Sequence, residues 1–286
     1  MIKKIFLLLL PLFLVACSNL PKYVAMDSRT KSSLGEVGIL SVIPQDEIIV
    51  VAANPGVTAA MGGGLIGALI DSQIAKNRQN DIQKVVEPFY AAIDDVDFRK
   101  LMWAAFAPSL HTAFDGKISE IRNTPLSMTP QERDQRIASL APGKSFMYIG
   151  SNYSFTRDLT QLNVITSVDL WTGGRPEQVY SNVFNYRSAA VENKTAPMTA
   201  WADDGGKRYR AAIGESIREM VGMFQVDLKH PRLEGVDQGR SAPVRNVTVP
   251  IASGAYPLTI TGPVLAEQGN RIIVRHADGR LYSLSR

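Results

Sequence analysis

The sequence predicts an α+β fold: an antiparallel three-stranded meander with packed helices, followed by a small C-terminal all-β module. Three observations carry this. Residues 144–187 hold three runs of period-two alternation, clearest in "QLNVITSVDLW", where Leu162, Val164, Thr166, Val168 and Leu170 share a face. Residues 205–224 instead repeat apolar side chains at helical spacing (Tyr209, Ile213, Ile217, Met220, Phe224) with the charges opposite. Residues 246–286 are short alternating runs separated by Pro and Gly. At 286 residues, 45% hydrophobic and 20% charged, the chain can bury a substantial core.

The elements follow in chain order. Lys3 and Lys4 precede an uncharged run of twelve residues, Ile5 to Ala16, interrupted by Pro11. A bilayer span needs about 20 residues, so 1–16 reads as an export signal rather than a membrane helix. Residues 17–35 are rich in Ser and Lys and read as a flexible tether. "EVGILSVI" and "EIIVVAA" are strand-like, with a turn at Pro44 to Asp46. From Ile48 to Ile70, 23 residues carry no charge, and Pro55-Gly56 divides them. The second part, Val57 to Ile70, holds Gly63-x-x-x-Gly67, a spacing that lets helices approach closely. Two readings stay open there: a glycine-zipper-like helix that touches membrane or other copies, or a Gly loop leading into a buried helix.

Helical spacing then runs from Ile66 through Phe89. A second helix follows the acidic cluster Asp94, Asp95 and Asp97, with Leu101, Met102, Ala105 and Phe106 expected on its inner face. Thr129-Pro130-Gln131-Glu132 has the pattern of a capped helix start. After the meander and the helix of 205–224, residues 229–245 have linker composition. The domain reading is a signal at 1–16, a tether at 17–35, a main domain at 36–228, a linker at 229–245 and a β module at 246–286.

The sole cysteine of the chain ends the first hydrophobic run, in Leu14-Val15-Ala16-Cys17. With the basic start, the greasy middle and the polar "SN" beyond, this stretch resembles the lipobox of bacterial lipoproteins. The resemblance implies a diacylglycerol on the Cys17 sulfur, signal cleavage between Ala16 and Cys17, and acylation of the new N-terminus. Ser18 after the cysteine implies, in a host with two membranes, transfer to the outer membrane and a periplasm-facing domain. With its one thiol lipidated, the mature chain would form no disulfide. No cofactor is expected beyond this covalent lipid.

Several chemistries find no support in the sequence. Two of the 31 basic residues are Lys3 and Lys4, leaving 29 against 27 acidic and a balance of +2, too little for a nucleic-acid partner. His111, His230 and His276 lack metal-ligand spacing, so no metal is expected. Gly143-Lys144-Ser145 would need a glycine at 138 to form a P-loop, and that residue is Ala138. Gly62, Gly64 and Gly67 match a dinucleotide-loop string but not its strand-and-acid context. No G-x-S-x-G elbow occurs. Asp94, Asp95 and Asp97 could serve as acid/base or cation ligands, while helix capping is the simpler role.

The leading expectation is a non-enzymatic, lipid-anchored envelope protein that binds or scaffolds another envelope protein. The order of elements is similar to that of small domains in outer-membrane assembly lipoproteins, such as penicillin-binding-protein activators and curli secretion lipoproteins, an analogy of fold alone. The alternatives are self-assembly or membrane insertion through 57–70 and a cell-envelope hydrolase.

Overall fold

The computed structural model describes residues 23–48, 50, 86–193, 196–231, 246–251 and 258–286. The N-terminal segment read as an export signal, with Ala16 and Cys17, the Gly-rich run with Gly63 and Gly67, and most of 229–245 lie outside the described residues. The elements are α1 (Ser28–Ser33), β1 (Glu36–Val42), α2 (helical over 86–93), α3 (Phe98–Ala113), β2 (Ile118–Thr124), α4 (Pro130–Ala138), β3 (Lys144–Phe155), β4 (Leu162–Thr172), β5 (Gln178–Arg187), α5 (Pro197–Lys229), β6 (Asn246–Ile251), β7 (Leu258–Gln268), β8 (Arg271–Arg275) and β9 (Leu281–Ser285).

The fold is α+β, but the strands are not partitioned as the sequence suggests. The nine strands among the described residues follow one order, β2-β1-β3-β4-β5-β9-β8-β7-β6. β3, β4 and β5 pair antiparallel within it. β1 runs parallel to both β2 and β3. β9 pairs parallel with β5 through Phe184↔Leu281, Asn185↔Tyr282 and Tyr186↔Ser283, so the C-terminal strands join the main sheet. Parallel pairing of distant segments leaves no local signature, unlike a hairpin. β2 is polar and half exposed, and its apolar alternation is too weak to announce a strand.

One face of the sheet carries α2, α3 and α5. Val164, Val168, Leu170, Phe184 and Tyr186 meet Phe89, Phe106, Met220 and Phe224 in a single core. The stripe expected on α5 is buried in full, and the helix is longer than its stripe. α3 buries Phe98, Met102, Phe106 and Leu110, whereas Leu101 is 46% exposed. The inner face is therefore rotated from the expected one, with Asp97 as N-cap fixing the helix phase. On the opposite face, α4 covers Leu40, Val42, Phe146 and Trp171. Its Thr129–Glu132 capping box forms as the sequence predicts.

Residues 17–35 are fixed from Val24 onward. Val24 exchanges two backbone hydrogen bonds with Ser181, at 2.8 and 3.0 Å. Met26 and Leu34 are buried, and Asp27 caps α1. The polar composition of this stretch predicts a spacer, and its two buried apolar side chains dock it instead.

A buried charged seam joins β8 to α5. Arg271 and Arg275 point from one face of β8 to Glu215, Glu219 and Asp227, which recur on one stripe of the helix. Arg271 also donates to the Arg187 and Ser283 carbonyls and lies over the Tyr186 ring at 4.4 Å. β8's other face, Ile272 and Val274, packs with Ile260, Tyr282 and Leu284 in a separate small cluster.

Candidate functional site

Arg99, at the start of α3, donates to the carbonyls of Ile43 and Gln45 and to the Asp46 carboxylate at 2.9 Å. That clamp fixes the loop beyond β1. The loop is tied from its other side by Gln45, whose amide bonds the Tyr153 backbone in both directions, at 2.9 and 3.0 Å. Tyr90, on α2, donates its hydroxyl to the Ile48 carbonyl at 2.8 Å. Three separate elements therefore hold residues 43–48 against the end of β3.

This arrangement encloses a cavity of about 160 Å³, lined by Asp46, Glu47, Ile48, Tyr90, Ile93, Asp94, Val96, Tyr153 and Tyr209. Tyr153 is 2% exposed and Tyr209 1%. Their rings are locked by packing: Tyr153 lies 4.3 Å from Phe98, and Tyr209 stands edge-on to Phe89 at 5.2 Å. Burial pushes both phenols well above their usual range, so they stay neutral. Among the described residues neither hydroxyl has a hydrogen-bond partner, although buried phenols usually find one. Glu47 and Asp94 stand exposed at the rim.

The acidic cluster divides. Asp97 caps α3 by accepting from the Lys100 amide. Asp95 pairs with Arg210, which holds its carboxyl below the usual carboxylate range. Only Asp94 faces the cavity. The capping and pairing roles account for two of the three aspartates. Among the described residues no group of three or more His, Cys, Asp or Glu could hold a metal.

A second, more open recess of about 330 Å³ lies between residues 188–190 and α5. Trp201 and Glu215 form part of its wall, with Arg208 and Arg218 at the rim. Glu215 is already engaged, accepting from the Tyr186 hydroxyl and from Arg271. The smaller cavity is the better-built site, because the hydroxyls of its lining residues Tyr153 and Tyr209 have no hydrogen-bond partner among the described residues.

Ala16, Cys17, Gly63 and Gly67, the residues singled out by sequence, fall outside the described residues. Nothing in the sequence marks Tyr90, Tyr153 and Tyr209 as a set. They come from three distant segments, and alternation or helical spacing marks each as ordinary core. Among the described residues no helix is long and apolar enough to cross a membrane. No protein-family model, no curated protein and no solved structure matches the chain.

Proposed function

We propose that the chain is a lipid-anchored envelope lipoprotein that binds another envelope protein without converting it. The observation that carries the binding reading is that Tyr153 and Tyr209, whose hydroxyls have no hydrogen-bond partner among the described residues, line a preformed cavity. A hydroxyl that no described protein group engages is free to donate to, and accept from, an incoming group. Neutral phenols hydrogen-bond well but are poor bases or nucleophiles at neutral pH, which favours binding over catalysis.

Anchoring rests on Leu14-Val15-Ala16-Cys17. A thioether-linked lipid plus an N-terminal acyl chain meets the two-signal requirement for stable membrane attachment. The lipid would be the only added group, and the domain would sit on the periplasmic face of the outer membrane. Cys17 and Tyr23 are six positions apart, a reach of at most about 20 Å. The Val24 bridge to β5 would thus hold the domain close to the bilayer. Within the sheet, we read the β3–β5 meander as the platform of the cavity and residues 246–286 as a unit with its own small core.

Metabolic labelling with palmitate tests the anchor: the native chain takes up label, and Cys17→Ser leaves an unprocessed, unlabelled precursor. An unlabelled native chain would contradict the reading.

A further inference from the structure

We infer that the tyrosine-lined cavity receives the ammonium group of a lysine side chain presented by the partner protein. The inference rests on reading this cavity as a binding site, and it names the chemistry of the group bound there.

The rim selects charge. Asp46, Glu47 and Asp94 line the cavity, and Asp95 and Asp97 lie beside Asp94 in the chain. The nearby cations are engaged: Arg99 pairs with Asp46, and Arg210 with Asp95. Glu47 and Asp94 have no ion pair among the described residues. An anion would be repelled at this mouth, and a cation drawn to it.

The interior selects shape. The volume equals that of roughly five waters, enough for the tip of one side chain and too little for a whole small molecule. An ammonium has three donors. Two lining tyrosines from different elements, Tyr153 on β3 and Tyr209 on α5, and a rim carboxylate offer three acceptors. A planar guanidinium instead wants a bidentate fork, which two hydroxyls on separate elements do not offer. Ile48, Ile93 and Val96 provide apolar wall for an aliphatic stem.

A lipid amine is the less favoured source. Val24 pairs with β5 at Ser181, whereas Tyr153 lies level with Tyr186 through their shared partner Val164. Five strand residues put the cavity about 17 Å along the sheet from the point where the chain leaves toward the anchor.

The full chain, purified in detergent, is titrated with Nα-acetyl-lysine methylamide and with its Nε-acetylated form, and separately with phosphatidylethanolamine vesicles. The expected result is saturable binding of the charged probe. At least tenfold weaker binding is expected for the acetylated probe and for the Tyr153→Phe/Tyr209→Phe variant, whose melting temperature stays at or above that of the native chain. Equal binding of both probes, or no saturable binding, means a water-filled cavity and overturns the inference. A lowered melting temperature in the Phe variant overturns it too, because the hydroxyls would then serve the fold. Cavity-dependent binding of the vesicles alone would replace the protein lysine with a lipid amine. If the charged probe fails while a partner crosslinked in cells still requires Tyr153 and Tyr209, the lysine assignment falls and the binding reading stands. If both fail, both fall.

Discussion

The Arg275 guanidinium meets the Asp227 carboxylate at 2.7 Å, with side-chain exposures of 7% and 1%. Asp227 also accepts from the Tyr180 hydroxyl at 2.8 Å and the Asn182 amide at 2.9 Å. These contacts make α5 and the end of β8 one unit. Asp227→Asn would leave a guanidinium buried without its counter-charge, and is expected to cost about 3–5 kcal/mol in urea unfolding. Adding Arg275→Met should cost less than the two singles together, with a coupling of about 0.5–3 kcal/mol. Additive losses would mean that the pair does not act as a pair.

Removing the cavity hydroxyls should not harm the fold. Tyr153→Phe and Tyr209→Phe delete groups without partners among the described residues, so each variant is expected within about 0.5 kcal/mol of the native chain or above it. Tyr90→Phe, which loses the bond to the Ile48 carbonyl, should cost about 0.5–1.5 kcal/mol. Chemical denaturation of the three variants gives the comparison, and equal losses would contradict it.

The break inside α5 makes a separate prediction. Asp203 to Gly206 leave helical geometry, with Gly205 at φ +63° and Gly206 at φ +72°. A side chain at φ > 0 costs about 1–2 kcal/mol, so Gly205→Ala should lose about that much. Gly206→Ala should lose more, because a Cβ there would come within 2.8 Å of Ile93 and 3.1 Å of the Ala92 carbonyl oxygen. A smaller loss at 206 than at 205 would be wrong for this geometry.

Acid should uncouple Asp95 from Arg210. Pairing holds the folded carboxyl below its ordinary value of 3.8, so the stabilising contribution is present above that pH and fades as pH falls through the lowered value. The melting temperature of Asp95→Asn should therefore lie below that of the native chain near neutrality, and the gap should close below about pH 4. A gap that persists into strong acid would assign the effect to something other than charge.

The parts of this fold that were legible in the sequence are those built from local periodicity. The α5 stripe, the alternation in β4 and the Thr129 capping box all depend on residues a few positions apart. The joins were not legible. β1 beside β3 and β9 beside β5 bring together segments distant in sequence, and nothing in either strand names its partner. The charged seam shows the same limit. Arg271 and Arg275 flank three apolar residues and look like the polar ends of a short strand, but both are covered by a helix carrying Glu215, Glu219 and Asp227. The cavity was hidden for a related reason. Tyr153 and Tyr209 are buried as core tyrosines should be, and what distinguishes them is that their hydroxyls have no hydrogen-bond partner among the described residues.

Photo-crosslinking in intact cells tests the account's central claim most directly. Benzoylphenylalanine at position 46, which lines the cavity and is largely exposed, should trap one discrete protein partner. That product should disappear when Tyr153→Phe and Tyr209→Phe are added and the protein remains folded. A product that survives both substitutions, or no product from any position around the cavity, would contradict it.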